Sequence, residues 1–301
     1  MTAPLDWQRD GRDWPNRDAS SFVSAGGLVW HVQMMGAGPT LLLIHGTGAS
    51  THSLRKIMTL LARQFTVIAP DLPGHGFTAV PADATGLSLP AMAGGIGKLM
   101  RKLGAEPVLA AGHSAGAAIL IRAALDGEIK PASIVSINGA LLPFRTPVGR
   151  LFSPIARMMA LSPVVRHIMA WRAQSPSAVE RVLRGTGSKP SREDVAFYSR
   201  LFGNPGHVQS ALGMMASWDL DSLVSDMHRL GPELVLVVGE DDRAISPADA
   251  EGAASLAPSA RIVRVAGAGH LAHEEKPEEI AEIVVETAMR LSLLSPPARN
   301  A

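Results

Sequence analysis

The sequence predicts an α/β fold: a mostly parallel central sheet flanked by helices, with a helical cap inserted between two core strands. Three observations carry this prediction. Short continuous apolar runs alternate with helical patterns through most of the 301 residues, which is the pattern of a parallel sheet wrapped by helices. Within that alternation, residues 108–121 hold an apolar run, then Gly112-His113-Ser114-Ala115-Gly116, then an Ala/Ile/Leu segment, so strand, sharp turn and helix follow one another directly. Between residues 140 and 224 the alternation stops. Helical segments rich in Met, Leu and Arg are broken there by prolines at 154, 163, 176, 190 and 205. The expected organisation is a core of residues 1–139 and 225–301 with a cap of residues 140–224.

Residues 1–20 read as an irregular, partly extended arm, with a turn at Trp14-Pro15-Asn16-Arg17. Alternation over 22–24 and 28–34 around Gly26-Gly27 predicts a hairpin. Leu41-Leu42-Leu43-Ile44 is continuously apolar, as a strand buried on both faces requires, and it runs into His45-Gly46-Thr47-Gly48. A helical pattern covers 53–63. The next strand, Thr66-Val67-Ile68-Ala69, stops at the turn-rich Pro70-Asp71-Leu72-Pro73-Gly74-His75-Gly76. A helix over 88–103 precedes the strand that leads to Ser114. Further strands are expected at 134–137, 234–238 and 261–265, and a last helix at 277–293.

Composition narrows the function classes. With 47% apolar residues the chain can build a large core, which excludes disorder, and a net charge of +1 argues against a general nucleic-acid binder. The absence of cysteine removes disulfides, thiolate metal sites and a cysteine nucleophile together. Residues 1–17 are polar and lack the apolar centre of a signal peptide, and no run reaches the ~18 apolar residues of a membrane span. A soluble, cytoplasmic protein is the expectation.

Ser114 is the expected nucleophile. A serine at a strained turn needs small residues two before and two after it, and Gly112 and Gly116 supply that space. A hydroxyl attacks only once a histidine removes its proton, and the histidine needs a carboxylate to orient it. In a sheet of this type the acid and the histidine follow the serine in the chain. The loop after 234–238 offers Glu240, Asp241 and Asp242, of which Asp242 fits a Gly-x-x-Asp turn led by Gly239. Asn138, at the alternative acid position after the preceding strand, cannot serve as a carboxylate. The loop after 261–265, Gly267-Ala268-Gly269-His270, makes His270 the expected base over its rival His273. Two backbone N–H groups must hold the oxyanion; Ala115, next to the nucleophile, and Thr47, in the loop after 41–44, are the expected donors. His45 and Gly46 shape that loop. His113 reads as packing rather than as a base, and Asp71 and His75 as supports of their turn.

Other motifs fail. His270-x-x-His273 lacks the spacing of a zinc helix, and no cofactor or metal motif is present. Gly185-Thr186-Gly187-Ser188-Lys189-Pro190 lacks the frame of a phosphate loop and follows no strand. The cap carries one asymmetry: residues 129–179 contain no Asp or Glu, yet hold Arg157, Arg166, Arg172 and other basic residues among methionines and large aliphatics. Such helices suit an anionic membrane surface, or the carboxylates of a large, flat, apolar ligand. The plain alternative is a lid with solvated arginines.

His45-Gly46, the turn over 71–76, Gly112-His113-Ser114-Ala115-Gly116, Gly239-Glu240-Asp241-Asp242 and Gly267-Ala268-Gly269-His270 together resemble the α/β-hydrolase family across nearly the whole chain. Two further stretches, residues 13–17 leading into 26–33 and residues 45–53, resemble the magnesium chelatase accessory proteins of bacteriochlorophyll biosynthesis. The resemblance implies a role in or beside magnesium insertion into protoporphyrin IX, with the porphyrin and the chelatase subunits as partners. Two function classes therefore stand: a serine hydrolase cleaving an ester or acyl bond of an apolar substrate, and a module that binds porphyrin without turnover. Dehalogenation on the same fold is disfavoured, because Ser114 stands where an aspartate nucleophile would be needed.

Overall fold

Eight strands form one sheet in the order β1-β2-β4-β3-β5-β6-β7-β8. They are β1 (Ser20–Ala25), β2 (Leu28–Met35), β3 (Thr40–Ile44), β4 (Thr66–Pro70), β5 (Leu109–His113), β6 (Ser133–Ile137), β7 (Glu233–Gly239) and β8 (Ala260–Val265). The computed structural model describes residues 5–143, 162–172 and 175–294. The β1–β2 hairpin turns through Gly26 and Gly27, both at positive φ, and runs antiparallel; every pairing from β4 onward through β8 is parallel.

Burial on both faces explains the continuous apolar runs. Along β3, Leu42 and Ile44 enter one core while Leu41 and Leu43 enter the other, the two-residue period of a strand with no wet face. Helices cover both sides. In chain order those before the cap are α1 (Trp7–Asp10), α2 (Arg55–Leu61), α3 (Leu89–Leu103) and α4 (Ala115–Leu125). Helices α3 and α4 pack on the face that holds Leu42, and α2 on the face that holds Leu41. Helix α3 carries Pro90 in its first turn and stops at Gly104, whose φ of +63° ends the helix in the left-handed conformation.

Between β6 and β7 the described residues hold no strand. They form α5 (Pro163–Arg172), α6 (Pro176–Gly185), α7 (Arg192–Phe202), α8 (Pro205–Ala216) and the short α9 (Asp221–Asp226). The prolines read in the sequence as helix breakers are in three cases the first residues of helices: Pro163, Pro176 and Pro205. At that position the missing N–H has no intrahelical acceptor to lose. After β7 come α10 (Asp249–Leu256), α11 (Ala272–Glu275) and α12 (Pro277–Arg290), the last packing on the α2 face.

The arm departs from its expected irregularity. Asp6 caps α1 by accepting from Arg9 N, and a 3-10 turn spans Arg17–Ala19. Trp14 is buried and donates its indole N–H to Thr51 Oγ1 at 3.1 Å, while its ring meets Phe77 and Phe197 edge-on. These long-range aromatic contacts, absent from any local pattern, order the segment.

The topology positions the site. β3 pairs with β4 on one side and β5 on the other, so the chain leaves β3 in one direction and later returns in the other. The loops after β3 and β5 therefore part from each other at the carboxyl edge, and a crevice opens between them.

Candidate active site

The turn after β5 has a strained backbone. Ser114 has φ +51° and ψ −118°, a conformation that costs about 1–3 kcal/mol and survives only where its surroundings impose it. They do: Ser114 N donates to Ile137 O of β6 at 3.0 Å, and Ser114 O accepts from Ala117 N and Ala140 N at 3.2 Å. The flanking glycines are sterically required. A Cβ on Gly112 would lie 2.6 Å from Ala117 N, and one on Gly116 would lie 2.6 Å from His45 O. Helix α4 starts at once with Ala115, whose N–H has no acceptor among the described residues.

Asp242 and His270 meet at the same edge. Asp242 Oδ2 lies 2.8 Å from His270 Nδ1, and its Oδ1 accepts from Ala244 N and Ile245 N at 2.7 and 2.9 Å. The carboxylate is buried and held at both oxygens. Because an ionised carboxylate can only accept, the imidazole proton sits on Nδ1 and leaves Nε2 as a free base. Glu240 and Asp241 are exposed. The structure thus sets Asp242 against His270, and it brings Ser114, His270, Ala115 and Thr47 to the wall of one cavity of about 380 Å³. Apart from Thr186 and His113, the rest of that wall is apolar or aromatic, including Phe202 and Trp218, with Tyr198 beside them. Thr47 gives its hydroxyl to Met214 Sδ at 3.4 Å. The loop that carries it is held by His45, whose Nδ1 donates to Gly46 O at 2.8 Å and whose Nε2 accepts from Leu72 N at 2.9 Å.

His273 is buried in the interior, where desolvation lowers its pKa to about 3, and it lies outside the cavity wall. His113 is sandwiched between His270 and His273, with ring centroids 4.7 and 4.4 Å away, and burial keeps it neutral. It donates from Nε2 to His270 O at 2.9 Å, so it supports the histidine loop as packing.

Two supports escaped the sequence reading. Asn138, at φ +45°, donates from Nδ2 to Gly269 O and His270 O, both at 2.9 Å, and accepts from Gly239 N at 2.7 Å. The residue that cannot be the acid ties the acid loop to the histidine loop. The glycine-rich stretch 185–190 is a second brace. Thr186 O accepts from Arg243 N and His270 N at 3.0 and 3.4 Å, and Ser188 Oγ accepts from Leu271 N at 2.8 Å. Gly187, at φ +87°, lies so close to Asp241 O that no Cβ fits. Its small residues were the only local signal, and they mark close backbone approach.

A look-alike lies elsewhere. Asp71 Oδ2 is 2.8 Å from His31 Nδ1, and His31 Nε2 is 3.0 Å from Ser20 Oγ. Asp71 also accepts from Thr51 N and Phe77 N at 2.7 and 2.9 Å, which fastens its turn as expected, and this trio lines neither the cavity above nor its neighbour.

The neighbouring cavity, about 490 Å³, shares Thr47, Val182, Phe202 and Met215 with the first and is also lined by Arg172 and Arg181. Of the other cap arginines singled out in the sequence, Arg157 lies outside the described residues and Arg166 is placed on α5 by its backbone alone. Among the described residues no group of three or more His, Asp or Glu is arranged to hold a metal ion, and no helix is long and apolar enough to cross a membrane.

Comparison with known proteins identifies the family. The chain is 35% identical over 276 residues, covering 91% of this chain and 96% of the relative, to the magnesium-chelatase 30 kDa subunit of Rhodobacter capsulatus. It is 28% identical over 271 residues, 87% of this chain and 97% of the relative, to the pimeloyl-[acyl-carrier protein] methyl ester esterase of Stenotrophomonas maltophilia (strain K279a). Among solved structures, an alpha/beta hydrolase fold protein from Burkholderia ambifaria superposes with a TM-score of 0.74 at 22% identity, over 95% of this chain and 100% of that one. Residues 41–283 match the alpha/beta hydrolase family, and with the strand order, the Ser114 turn and the Asp242–His270 pair at one sheet edge, the chain belongs to that family.

Proposed function

We propose that this protein is a serine hydrolase that cleaves an ester or acyl bond of an apolar substrate, and that it works beside magnesium chelatase in bacteriochlorophyll biosynthesis. The observation that carries the hydrolase reading is the 2.8 Å contact from Asp242 to His270, which lines the same cavity as the strained Ser114. His270 Nε2 takes the proton of Ser114 as its Oγ attacks the substrate carbonyl. The N–H groups of Thr47 and Ala115 hold the oxyanion, a term for which loss of one donor lowers kcat about 10²- to 10³-fold. Collapse expels the alcohol, which takes the proton from His270. Water, deprotonated by His270, then releases the acid and restores Ser114. Asp242 orients His270 throughout. Residues 140–224 act as the cap that shields this chemistry from bulk water.

The pathway assignment is supported by the 35% identity to the 30 kDa chelatase subunit over nearly its full length, and it makes chelatase subunits and a porphyrin, protoporphyrin IX or its magnesium form, the expected partners. The identity to an ester-cleaving relative favours turnover over binding alone. A second reading, contact with a membrane surface, is favoured by one feature: Val164, Ile168 and Trp171 line one side of α5 at helical spacing and are half or more exposed.

A fluorophosphonate probe tests the catalytic reading. Labelling of the native protein, none of Ser114→Ala, and a rate lowered by at least about 10³-fold in His270→Ala is the expected result. A protein that binds protoporphyrin yet is not labelled would replace the hydrolase by a non-catalytic porphyrin-binding module.

A further inference from the structure

The two cavities meet at the proposed oxyanion loop. Thr47, Val182, Phe202 and Met215 are walls of both, so the two spaces adjoin and a ligand that passes these side chains would reach from Ser114 into the outer space. Volumes of about 380 and 490 Å³ are each ample for part of one extended or flat ligand. The outer cavity is walled by alanine, valine, leucine, phenylalanine and methionine, with two exceptions in charge: Arg172, the last residue of α5, and Arg181 in α6. Among the described residues no carboxylate lines either cavity. Among the described residues neither guanidinium is in an ion pair, whereas Arg184, one turn along from Arg181, is paired with Glu180 at 2.8 Å. Two solvent-exposed guanidinium groups beside apolar walls, unpaired among the described residues, attract a planar anion, because each offers a fork of donors matched to a carboxylate.

We infer, building on the hydrolase reading, that the substrate carries a free carboxylate as well as the scissile ester: Ser114 receives the ester carbonyl while Arg172 and Arg181 hold the carboxylate at the far end of an apolar body. The substrate class is the monoester of a dicarboxylic acid. The carboxylate takes no part in bond making or breaking. It fixes the register of the apolar body, which otherwise has only non-directional contacts to place the ester over Ser114.

The test compares two p-nitrophenyl esters with the same acyl length: octanoate, and the monoester of octanedioic acid. The native protein should favour the carboxylate-bearing ester in kcat/KM. That preference should fall about tenfold or more in Arg172→Gln/Arg181→Gln, chiefly through KM, shrink with added salt, and return in part with lysine at both positions. A thermal melt of each variant checks that it is folded. A second arm uses Ser114→Ala and calorimetric binding of monomethyl octanedioate against the dimethyl ester. Tighter binding of the monoacid, abolished when both arginines are also replaced, upholds the anchor even where no ester is turned over, a result that would sink the hydrolase reading alone. Equal handling of charged and neutral ligands by native and arginine-free proteins overturns the anchor. So does an arginine-free variant that keeps the preference but no longer binds phosphatidylglycerol vesicles, since the two side chains would then serve a membrane.

Discussion

At the scale of single residues, Asn138 links more of the site than any residue the chemistry names directly. Its amide spans the loops after β7 and β8 through Gly239, Gly269 and His270, and its own backbone occupies the left-handed region that asparagine tolerates better than most residues. Asn138→Ala should leave Gly239 N–H and Gly269 O short of a partner, while His270 O keeps His113, and destabilise the protein by about 1–3 kcal/mol. A shift of the His270 loop by a fraction of an ångström follows, so kcat on a neutral ester should fall roughly tenfold or more with KM little changed. Asn138→Asp is the discriminating variant: it keeps the size but loses the donor to Gly269 O and His270 O. Normal kcat in both variants would show that the loops hold their geometry unaided. In the sequence Asn138 shows only that it cannot be the acid; its role as a clamp depends on three partners about a hundred residues or more away.

At the scale of elements, cap and core are joined by a polar cluster that is buried except at Glu193. Arg55, which opens α2, donates to Asp194 Oδ1 at 2.6 Å and Glu193 Oε2 at 2.9 Å on α7, and Tyr198 of α7 donates to Glu274 Oε1 on α11 at 2.8 Å. Tyr198 also lines the Ser114 cavity, so the same side chain shapes the pocket and fastens the helix that walls it. Removing one member of such a group costs more than the group itself contributes, because a desolvated charge is left alone. Arg55→Leu should destabilise the protein by about 3–5 kcal/mol and Tyr198→Phe by about 1–3 kcal/mol in urea unfolding. Losses under about 0.5 kcal/mol in both would mean that apolar packing alone seats α7. Hydrophobic periodicity located α7 only as part of a proline-broken helical region. Nothing in its spacing shows that Asp194 and Tyr198 turn inward against Arg55 and Glu274.

At the scale of the whole molecule, buried histidines set the response to acid. Burial lowers the pKa of His45, His52, His75 and His113, of His207 to about 4 and of His273 to about 3. A histidine depressed in the folded state binds fewer protons there than in the unfolded chain. Its contribution to stability is complete above the unfolded value near 6.5 and is lost as pH falls towards the folded value, by about 1.4 kcal/mol per pH unit for each group. Glu274 acts in the opposite sense. Burial and the neighbouring Asp194 raise its pKa to about 8, so its contribution is present at low pH and is lost as pH rises from about 4.5 through 8. One rising carboxyl is outnumbered by the histidines below pH 6.5 and acts alone above it. Tm should therefore peak near pH 6.5–7, drop by several degrees towards pH 5.5, and decline gently towards pH 8. Glu274→Gln should flatten the alkaline limb and leave the acid limb in place; a flat profile in the native protein from pH 5.5 to 7 would contradict the burial of these imidazoles.

The sequence by itself determined the order of strands and helices, the helical character of the described residues between β6 and β7, and Ser114, Asp242 and His270 as residues at one edge of the sheet. Each of these leaves a short-range mark: two-sided burial makes a strand continuously apolar, a tight turn demands glycines at fixed offsets, and loops at strand ends are rich in glycine. Tertiary structure alone decided the rest. It placed Asn138 and residues 186–188 as braces, ordered the arm through Trp14, made Ser20, His31 and Asp71 a clasp away from both cavities, and set Arg181 beside Arg172 at the outer cavity. Those arrangements rest on contacts between distant parts of the chain and on which side of an element faces inward, and a one-dimensional pattern of residue types carries neither.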